Sequence, residues 1–292
     1  MIKIRSLFII SLLTFAVRVC FAQADSVILV TAPWHVDSID GVALKTVHFT
    51  RHEYFNSNQF IAILEIPSQS AHALRLAYDS VRTKTSDIAI RHQAVAAING
   101  SFFDMDKHNP VCFLRIDGQD IGENTPGKDT VNRKYYQYGT LLITGDSVCI
   151  ARTDSNRVWE RSLPDSNIMT AGPLLLYHGK KQNVRQDRTF VSNRHNRTAM
   201  GIRPDGTILL LVVDGRTKES EGFTINELTQ TMKWLGCTDA LNMDGGGSTT
   251  LYVRDYPYDG IVNHPSDNGR FDHQGERGVS NVILVVRKEA KM

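Results

Sequence analysis

The segment Asn242-Met243-Asp244-Gly245-Gly246-Gly247-Ser248 sets an amide, a carboxylate and a hydroxyl around three successive glycines. Glycine loses more backbone freedom on folding than any other residue, so three in a row suit neither a helix nor a strand interior. They suit a backbone that must reach φ > 0 or let another molecule approach closely. The N–H groups of Gly245, Gly246 and Gly247, beside Ser248, make a candidate cradle for an anion. On its own, such a segment is more often a polar surface loop. Its weight comes from four further polar clusters: Asn99 to Asp104, Arg197-Thr198, Asp214-Gly215-Arg216, and Asn263 to Asp267 running on to Arg277.

Each cluster also has a bland reading. Asn99-Gly100 and Asp214-Gly215 are ordinary turn dipeptides, and Arg216 suits a weak surface ion pair. Together they share one chemical theme. Arginine offers a planar fork for phosphate or carboxylate, which makes Arg197 and Arg216 candidate clamps. Asp214, Asp244 and Asp104 are candidate acids, bases or nucleophiles. The amides of Asn99 and Asn242 both donate and accept, as sugar hydroxyls require. The set points to a phosphorylated sugar or a similar anionic glycoside.

Several other chemistries lack their motifs. No Lys follows Gly247, so there is no GxxxxGK[ST] phosphate loop; HExxH, GxSxG and a βαβ GxGxxG are also missing. The ten histidines are scattered, with His195 and His264 near the clusters. A lone His is more often a surface or hydrogen-bonded residue than a ligand. A divalent cation such as calcium would find oxygens at Asp244, Asp104 or Asp267, without a calcium-loop signature, and the metal requirement stays open.

These clusters must be positioned by strands and helices, which the 292 residues supply as one large domain or two small ones. With 41% hydrophobic and 22% charged residues the chain falls in the ordinary globular class. Short apolar runs predict strands at Val27–Val30, Phe60–Ile66, Leu141–Ile143 and Ser147–Ile150. Thr198–Ile202 and Thr207–Val213 flank Arg203-Pro204-Asp205-Gly206 and read as a hairpin. Leu211 to Val213 does not alternate, which predicts a strand covered on both faces. Thr224 to Leu235 predicts a helix, with a Thr224/Glu227 capping box, Ile225, Leu228, Met232 and Leu235 on one face, and Gly236 as terminator. It links the strand before Asp214 to the strand before Asn242, so both strand ends open on one side. A weaker helix over Ser86 to His92 feeds a strand over Ala94 to Ile98, and a last strand spans Val279 to Val286. Arg185 to Arg197 reads as a surface loop. The fold class is α+β, with a mixed, largely antiparallel sheet and a few packed helices in a single domain.

The N-terminus reads as a signal peptide. Lys3 and Arg5 precede an apolar run from Leu7 to Val17, and Ala22-Gln23-Ala24 forms a small-x-small cleavage site. The run is shorter than the roughly 20 residues needed to span a bilayer, and Arg18 interrupts it. Cys20 follows Val19, which is not the small residue that lipoprotein processing favours. The expectation is removal of residues 1–24, export, and no membrane span thereafter. Cleavage removes three of the 33 basic residues, leaving 30 against 31 acidic, a net charge of −1. Nothing in that balance favours nucleic acid as a partner. Cys112, Cys149 and Cys237 remain; an odd number leaves at least one thiol free, and no pair has CxxC spacing.

With these clusters in view the chain resembles the phosphodiester glycosidase family over roughly Ala94 to Val286. The likeness is carried by Ile98-Asn99-Gly100-Ser101-Phe102-Phe103, Ala171-Gly172-Pro173-Leu174, Arg197-Thr198-Ala199-Met200-Gly201, Val213-Asp214-Gly215-Arg216, Gly222-Phe223-Thr224, Leu241 to Thr249, and Arg277 to Asn281. It implies a hydrolase that removes a sugar from a sugar-1-phosphodiester and leaves the phosphomonoester on the other partner; with the signal peptide, the expectation is an exported enzyme. It marks Asn99, Asp104, Arg197, Asp214, Arg216, Asn242, Asp244 and Gly245 to Gly247 as active-site candidates. Residues 86–292 form the family-like core and 25–85 a variable set of N-terminal strands of the same domain. Two rivals stand beside this reading: a phosphodiesterase that breaks the P–O bond, and a non-catalytic glycan- or cell-wall-binding module.

Overall fold

The computed structural model describes residues 25–126, 133–184 and 188–288. The expected signal peptide, residues 1–24 with Cys20, lies outside the described residues, as do residues 185–187 of the expected surface loop.

The strands form three sheets rather than one, and every pairing among the described residues is antiparallel. The largest has eight strands in the order His35–Ile39, Val42–Tyr54, Ser57–Ile66, Ile208–Val213, Arg197–Ile202, Asp239–Asn242, Leu174–Tyr177 and Lys180–Lys181. A four-stranded sheet runs Leu251–Val253, Ala96–Asn99, Gly278–Arg287, His72–Lys84. The third comprises Gln119–Gly122, Leu114–Ile116, Asn167–Ala171, Gly139–Thr144 and Ser147–Arg152. The α+β class and the antiparallel character predicted from sequence are thus met.

Strand periodicity sets the layers. Successive side chains point to opposite faces, so Leu210 and Val212 enter one core while Leu209, Leu211 and Val213 enter another. The first core lies between the eight-stranded sheet and the two smaller sheets, and it includes Ile98, Ile283, Val285, Leu141 and Met169. The second lies under the helix Ile225–Trp234, whose Ile225, Leu228 and Met232 are buried there. This is why Leu211 to Val213 shows no alternation: both faces are covered. A helix at Thr85–Arg91 covers the outer face of the four-stranded sheet, with Ile88 and Ala89 against Ala97, Val282 and Leu284.

Local signals fix these helices and turns. The Thr224 hydroxyl accepts the Glu227 N–H at 3.1 Å, and the Glu227 carboxylate accepts the Thr224 N–H at 2.8 Å. Gly236, at φ +88°, ends the helix. In the 203–206 turn, Gly206 sits at φ +81° and Asp205 Oδ1 accepts the Thr207 N–H.

Two expectations are corrected. Val27–Val30 is helical rather than a strand. Leu29 is buried while Val27 and Val30 face solvent, and the Thr31 hydroxyl donates back to the Val27 carbonyl, four residues earlier. A four-residue apolar run carries no period that separates the two conformations. The expected surface loop ends differently as well, since Thr189–Ser192 forms one helical turn and Arg197 is buried, at 1% exposure.

Candidate active site

Sheet topology gathers the polar clusters. Arg197–Ile202 pairs antiparallel with both Ile208–Val213 and Asp239–Asn242, with Arg197 opposite Val213 and Ala199 opposite Asn242. The two flanking strands therefore run the same way. Asp214 and the Asp244 loop leave their C-terminal ends at the edge where Arg197 begins. From the four-stranded sheet comes Asn99, which is fully buried. Its Oδ1 accepts from the Thr198 hydroxyl at 2.8 Å and the Thr250 N–H at 3.2 Å, and its Nδ2 donates to the Asp244 carbonyl at 2.7 Å. Asn99 is a pin between the two sheets, not a free amide. Next to it, the Gly100 carbonyl accepts the Asp244 N–H at 3.1 Å.

The three glycines are required by what surrounds them. A Cβ on Gly245 would stand 2.6 Å from the Asn196 carbonyl oxygen. At Gly246 it would stand 2.7 Å from the Arg216 guanidinium, and the residue sits at φ +62°. At Gly247 it would stand 2.5 Å from both Arg277 Nη2 and Asp267 Oδ1. The expected cradle of N–H groups is narrowed here, since two of its three glycine amides are engaged within the protein. Gly245 donates to Asp244 Oδ1, Gly246 to the Asn196 carbonyl, Ser248 to Gly245, and Thr249 to Gly246. These amides are turned inward, and the bare backbone instead lets two guanidinium groups lie on it.

Asp244 stands beside those cations. Burial pushes its carboxyl up to about 6, against the Ser248 hydroxyl, the Gly245 N–H and the positive charges of Arg277 and Arg216, which favour ionisation. The Ser248 oxygen lies near enough to act this way but outside hydrogen-bond geometry. Arg277 is tied to Asp267 through Nε at 3.0 Å. Arg216 has no carboxylate within ion-pair reach among the described residues, and its side chain is exposed. An unpaired guanidinium over a glycine turn, next to a carboxyl that holds its proton to about pH 6, suits a phosphate ester at a reacting carbon. Nearby, Asn196 Nδ2, Asn242 Oδ1 and Thr250 Oγ1 are buried without a hydrogen-bond partner.

The chain has parallels among known proteins. The family model for phosphodiester glycosidases matches residues 92–286. This chain belongs to the phosphodiester glycosidase family. Among curated proteins, it is 28% identical over 183 residues to an uncharacterized SPbeta prophage-derived protein of Bacillus subtilis, covering 59% of this chain and 26% of that one. It is 29% identical over 119 residues to the mouse N-acetylglucosamine-1-phosphodiester alpha-N-acetylglucosaminidase, covering 38% and 22%. The chain thus spans about a quarter of the length of these relatives. Its fold matches the catalytic domain of the zebrafish enzyme of that name, with a TM-score of 0.64 at 16% identity over 88% of this chain and 89% of that one. A hypothetical protein from Synechocystis matches with a TM-score of 0.60 at 15% identity, over 88% and 64%.

Within this member of the family the residues singled out by sequence separate into distinct environments. Asp244, Arg216 and Gly245 to Ser248 come together as described. Asp214 reaches the same edge, but its carboxylate is occupied: Oδ1 accepts from Asn263 Nδ2, and Oδ2 accepts the His264 N–H and faces its ring Nδ1, each at 2.8 Å. Arg197 is no open clamp. Nε donates to the Phe223 carbonyl and Nη2 to those of Phe190 and Asn193, the group lies 4.7 Å from the Phe190 ring, and burial lowers its pKa to about 9. Asn242 Nδ2 bonds the Gly172 and Met243 carbonyls. Asp104 caps a turn, accepting the N–H groups of Asp106 and Lys107, which hold its pKa below the usual range. Among the described residues no group of three or more His, Cys, Asp and Glu side chains is placed to hold a metal ion. All three described cysteines are free thiols.

His264 is the residue that sequence reasoning placed near the clusters but discounted as a lone histidine. Besides Asp214, it stacks on Phe271 at 3.7 Å and meets Phe60 edge-on at 4.7 Å. The tautomer that donates Nδ1–H to Asp214 leaves Nε2 as the ring's proton acceptor. The signal available was its place in Asn263-His264-Pro265, where Asn263 and His264 both address Asp214.

Proposed function

We propose that this chain hydrolyses the glycosidic bond of a sugar-1-phosphodiester, releasing the sugar and a phosphomonoester. One observation carries the reading: the Arg216 guanidinium, without a carboxylate partner among the described residues, lies over the glycine turn that follows Asp244 and acts on its carboxyl through its charge. Arg216, with Arg277 behind it, binds the phosphodiester. The departing phosphate ester is a good anion at neutral pH, so arginine stabilisation replaces the strong general acid that ordinary glycosides need. Asp244, ionised above about pH 6, faces the anomeric carbon as positive charge develops there. His264, oriented by Asp214, accepts the proton of the attacking water. The likeness to relatives named for N-acetylglucosamine-1-phosphodiesters supports the substrate class.

Export belongs to the same proposal and rests on the basic start, apolar run and Ala22-Gln23-Ala24 of the first 24 residues. A protein of Burkholderia pseudomallei that shares the fold, with a TM-score of 0.53, is named as an exported protein, which agrees with this reading.

The test incubates purified protein with the methyl phosphodiesters of several sugar-1-phosphates, with and without chelator. Reducing sugar and methyl phosphate appearing in equal amounts is the expected result. Release of methanol and an intact sugar-1-phosphate would mark a phosphodiesterase, and binding without any product would mark a glycan-binding module.

A further inference from the structure

Resting on the glycosidase reading, we propose that Tyr135 and Tyr136 form the platform on which the sugar ring of the substrate lies. Four aromatic rings make one shelf. Phe102 and Tyr136 stack at 4.8 Å, Tyr135 and Phe190 lie 4.9 Å apart, and Tyr135 meets Tyr136 edge-on at 5.0 Å. All four are only partly buried, whereas aromatics serving the core alone are normally covered.

The shelf is built onto the backbone that carries Asp244. Phe102 lies two residues beyond Gly100, whose carbonyl accepts the Asp244 N–H. The tyrosine turn packs on Gly172, where a Cβ would stand 3.1 Å from the Tyr136 carbonyl carbon and 3.2 Å from the Tyr135 oxygen. Gly172 in turn accepts from Asn242 Nδ2 at 2.8 Å, two residues before Asp244. Burial raises the Tyr135 pKa, with Tyr136 and then the Asp244 charge adding to the rise, so the phenol and the carboxyl share one neighbourhood.

The backbone about Asp244 therefore joins the glycine turn, on which the guanidinium groups lie, to the Gly100 and Gly172 segments that carry the aromatic rings. A glycosyl phosphodiester has the matching polarity about its anomeric carbon, with the phosphate on one side and the sugar ring on the other. Aldopyranoses present an apolar C–H face that packs on an aromatic ring, while their hydroxyls seek donors and acceptors. Lys134 and Arg188 stand over the Tyr136 and Tyr135 rings, 5.5 Å and 5.0 Å from the centroids; these flexible side chains give way to the sugar ring and turn their donors to its hydroxyls.

Saturation-transfer NMR of the full protein with the methyl α-glycosides of glucose, galactose and N-acetylglucosamine tests this without turnover. The expected result is saturation concentrated on the C–H protons of one ring face. Tyr135→Ala and Tyr136→Ala should each weaken the apparent Kd by about two- to twelvefold, as expected for a lost aromatic contact. Tyr135→Phe and Tyr136→Phe should retain binding, and affinity for inorganic phosphate should stay unchanged in all four variants. No saturation of any glycoside on the wild-type protein, or wild-type affinity in the alanine variants, would overturn the platform. The two readings fail separately. Face-specific sugar binding with no phosphodiester hydrolysed keeps the shelf and sinks the glycosidase, whereas hydrolysis with KM unmoved by the alanine variants does the reverse.

Discussion

The Asp214 carboxylate receives the His264 backbone N–H and stands against its ring nitrogen Nδ1, both at 2.8 Å. A carboxylate held this way fixes the ring's orientation and, by accepting Nδ1–H, its tautomer. Asp214→Asn keeps the shape but reverses the preferred proton position. Under the proposed mechanism, Asp214→Asn and His264→Gln each lower kcat by about 10²–10⁴-fold, the usual range for a positioned proton acceptor, with KM nearly unchanged. Steady-state kinetics on the methyl phosphodiester checks this, and a KM rise with intact kcat would assign the pair to binding.

Asp244 gives a pH prediction. Its carboxyl is raised to about 6 in the folded protein, and the ionised form is the active one. Activity should therefore rise with pH through about 6 and level off above it. The stability effect has the opposite sign. A carboxyl raised above its unfolded value binds protons more tightly when folded, so its ionisation lowers stability as pH climbs through the acid range. Asp244→Asn should abolish turnover yet raise stability at about pH 7.5 by about 1–3 kcal/mol. Chemical unfolding of the wild type and the variant at about pH 4 and about pH 7.5 reads this directly, with the gain expected only at the higher pH.

Arg216 gives a binding prediction. Lys cannot reproduce the planar fork, so Arg216→Lys should reduce kcat/KM by roughly 10–100-fold, the range of a lost charge-assisted hydrogen bond. Gly246→Ala tests the same contact from the backbone, because its Cβ would displace the guanidinium and occupy φ +62°. Phosphate inhibition constants should weaken in both variants. Full affinity in Arg216→Lys would refute the clamp.

Arg197 gives a stability prediction. Its guanidinium donates to the carbonyls of Phe223, Phe190 and Asn193, so Arg197→Ala leaves buried acceptors unpaired. The expected cost is about 3–5 kcal/mol, read as a shifted denaturant midpoint. An unchanged midpoint with weakened phosphate binding would return Arg197 to the substrate.

Much of this was legible in the sequence, because the signals were local. The capping box of Thr224 and Glu227, the Pro204-Asp205-Gly206 turn and the unalternating Leu211 to Val213 each specify their structure within a few residues. The shared edge of Asp214 and Asp244 followed from one helix joining two strands. The strands Val42–Tyr54 and His72–Lys84 were not visible. Along Val42–Tyr54 the buried positions shift phase between Leu44 and Val47, and pairing with Ser57–Ile66 slips between Phe49 and Tyr54, so no constant period marks it. Site roles were harder still. Nothing near Arg197 says that carbonyls from Phe190, Asn193 and Phe223 will surround it, and 50 residues separate Asp214 from His264. Tertiary partners decide whether an arginine clamps substrate or holds the fold.

The position of bond cleavage is the most direct test. Hydrolysis of a methyl sugar-1-phosphodiester in ¹⁸O-water should place the label in the anomeric hydroxyl of the released sugar and none in methyl phosphate. Label in the phosphate product would show P–O cleavage and contradict an Asp244 acting at the anomeric carbon.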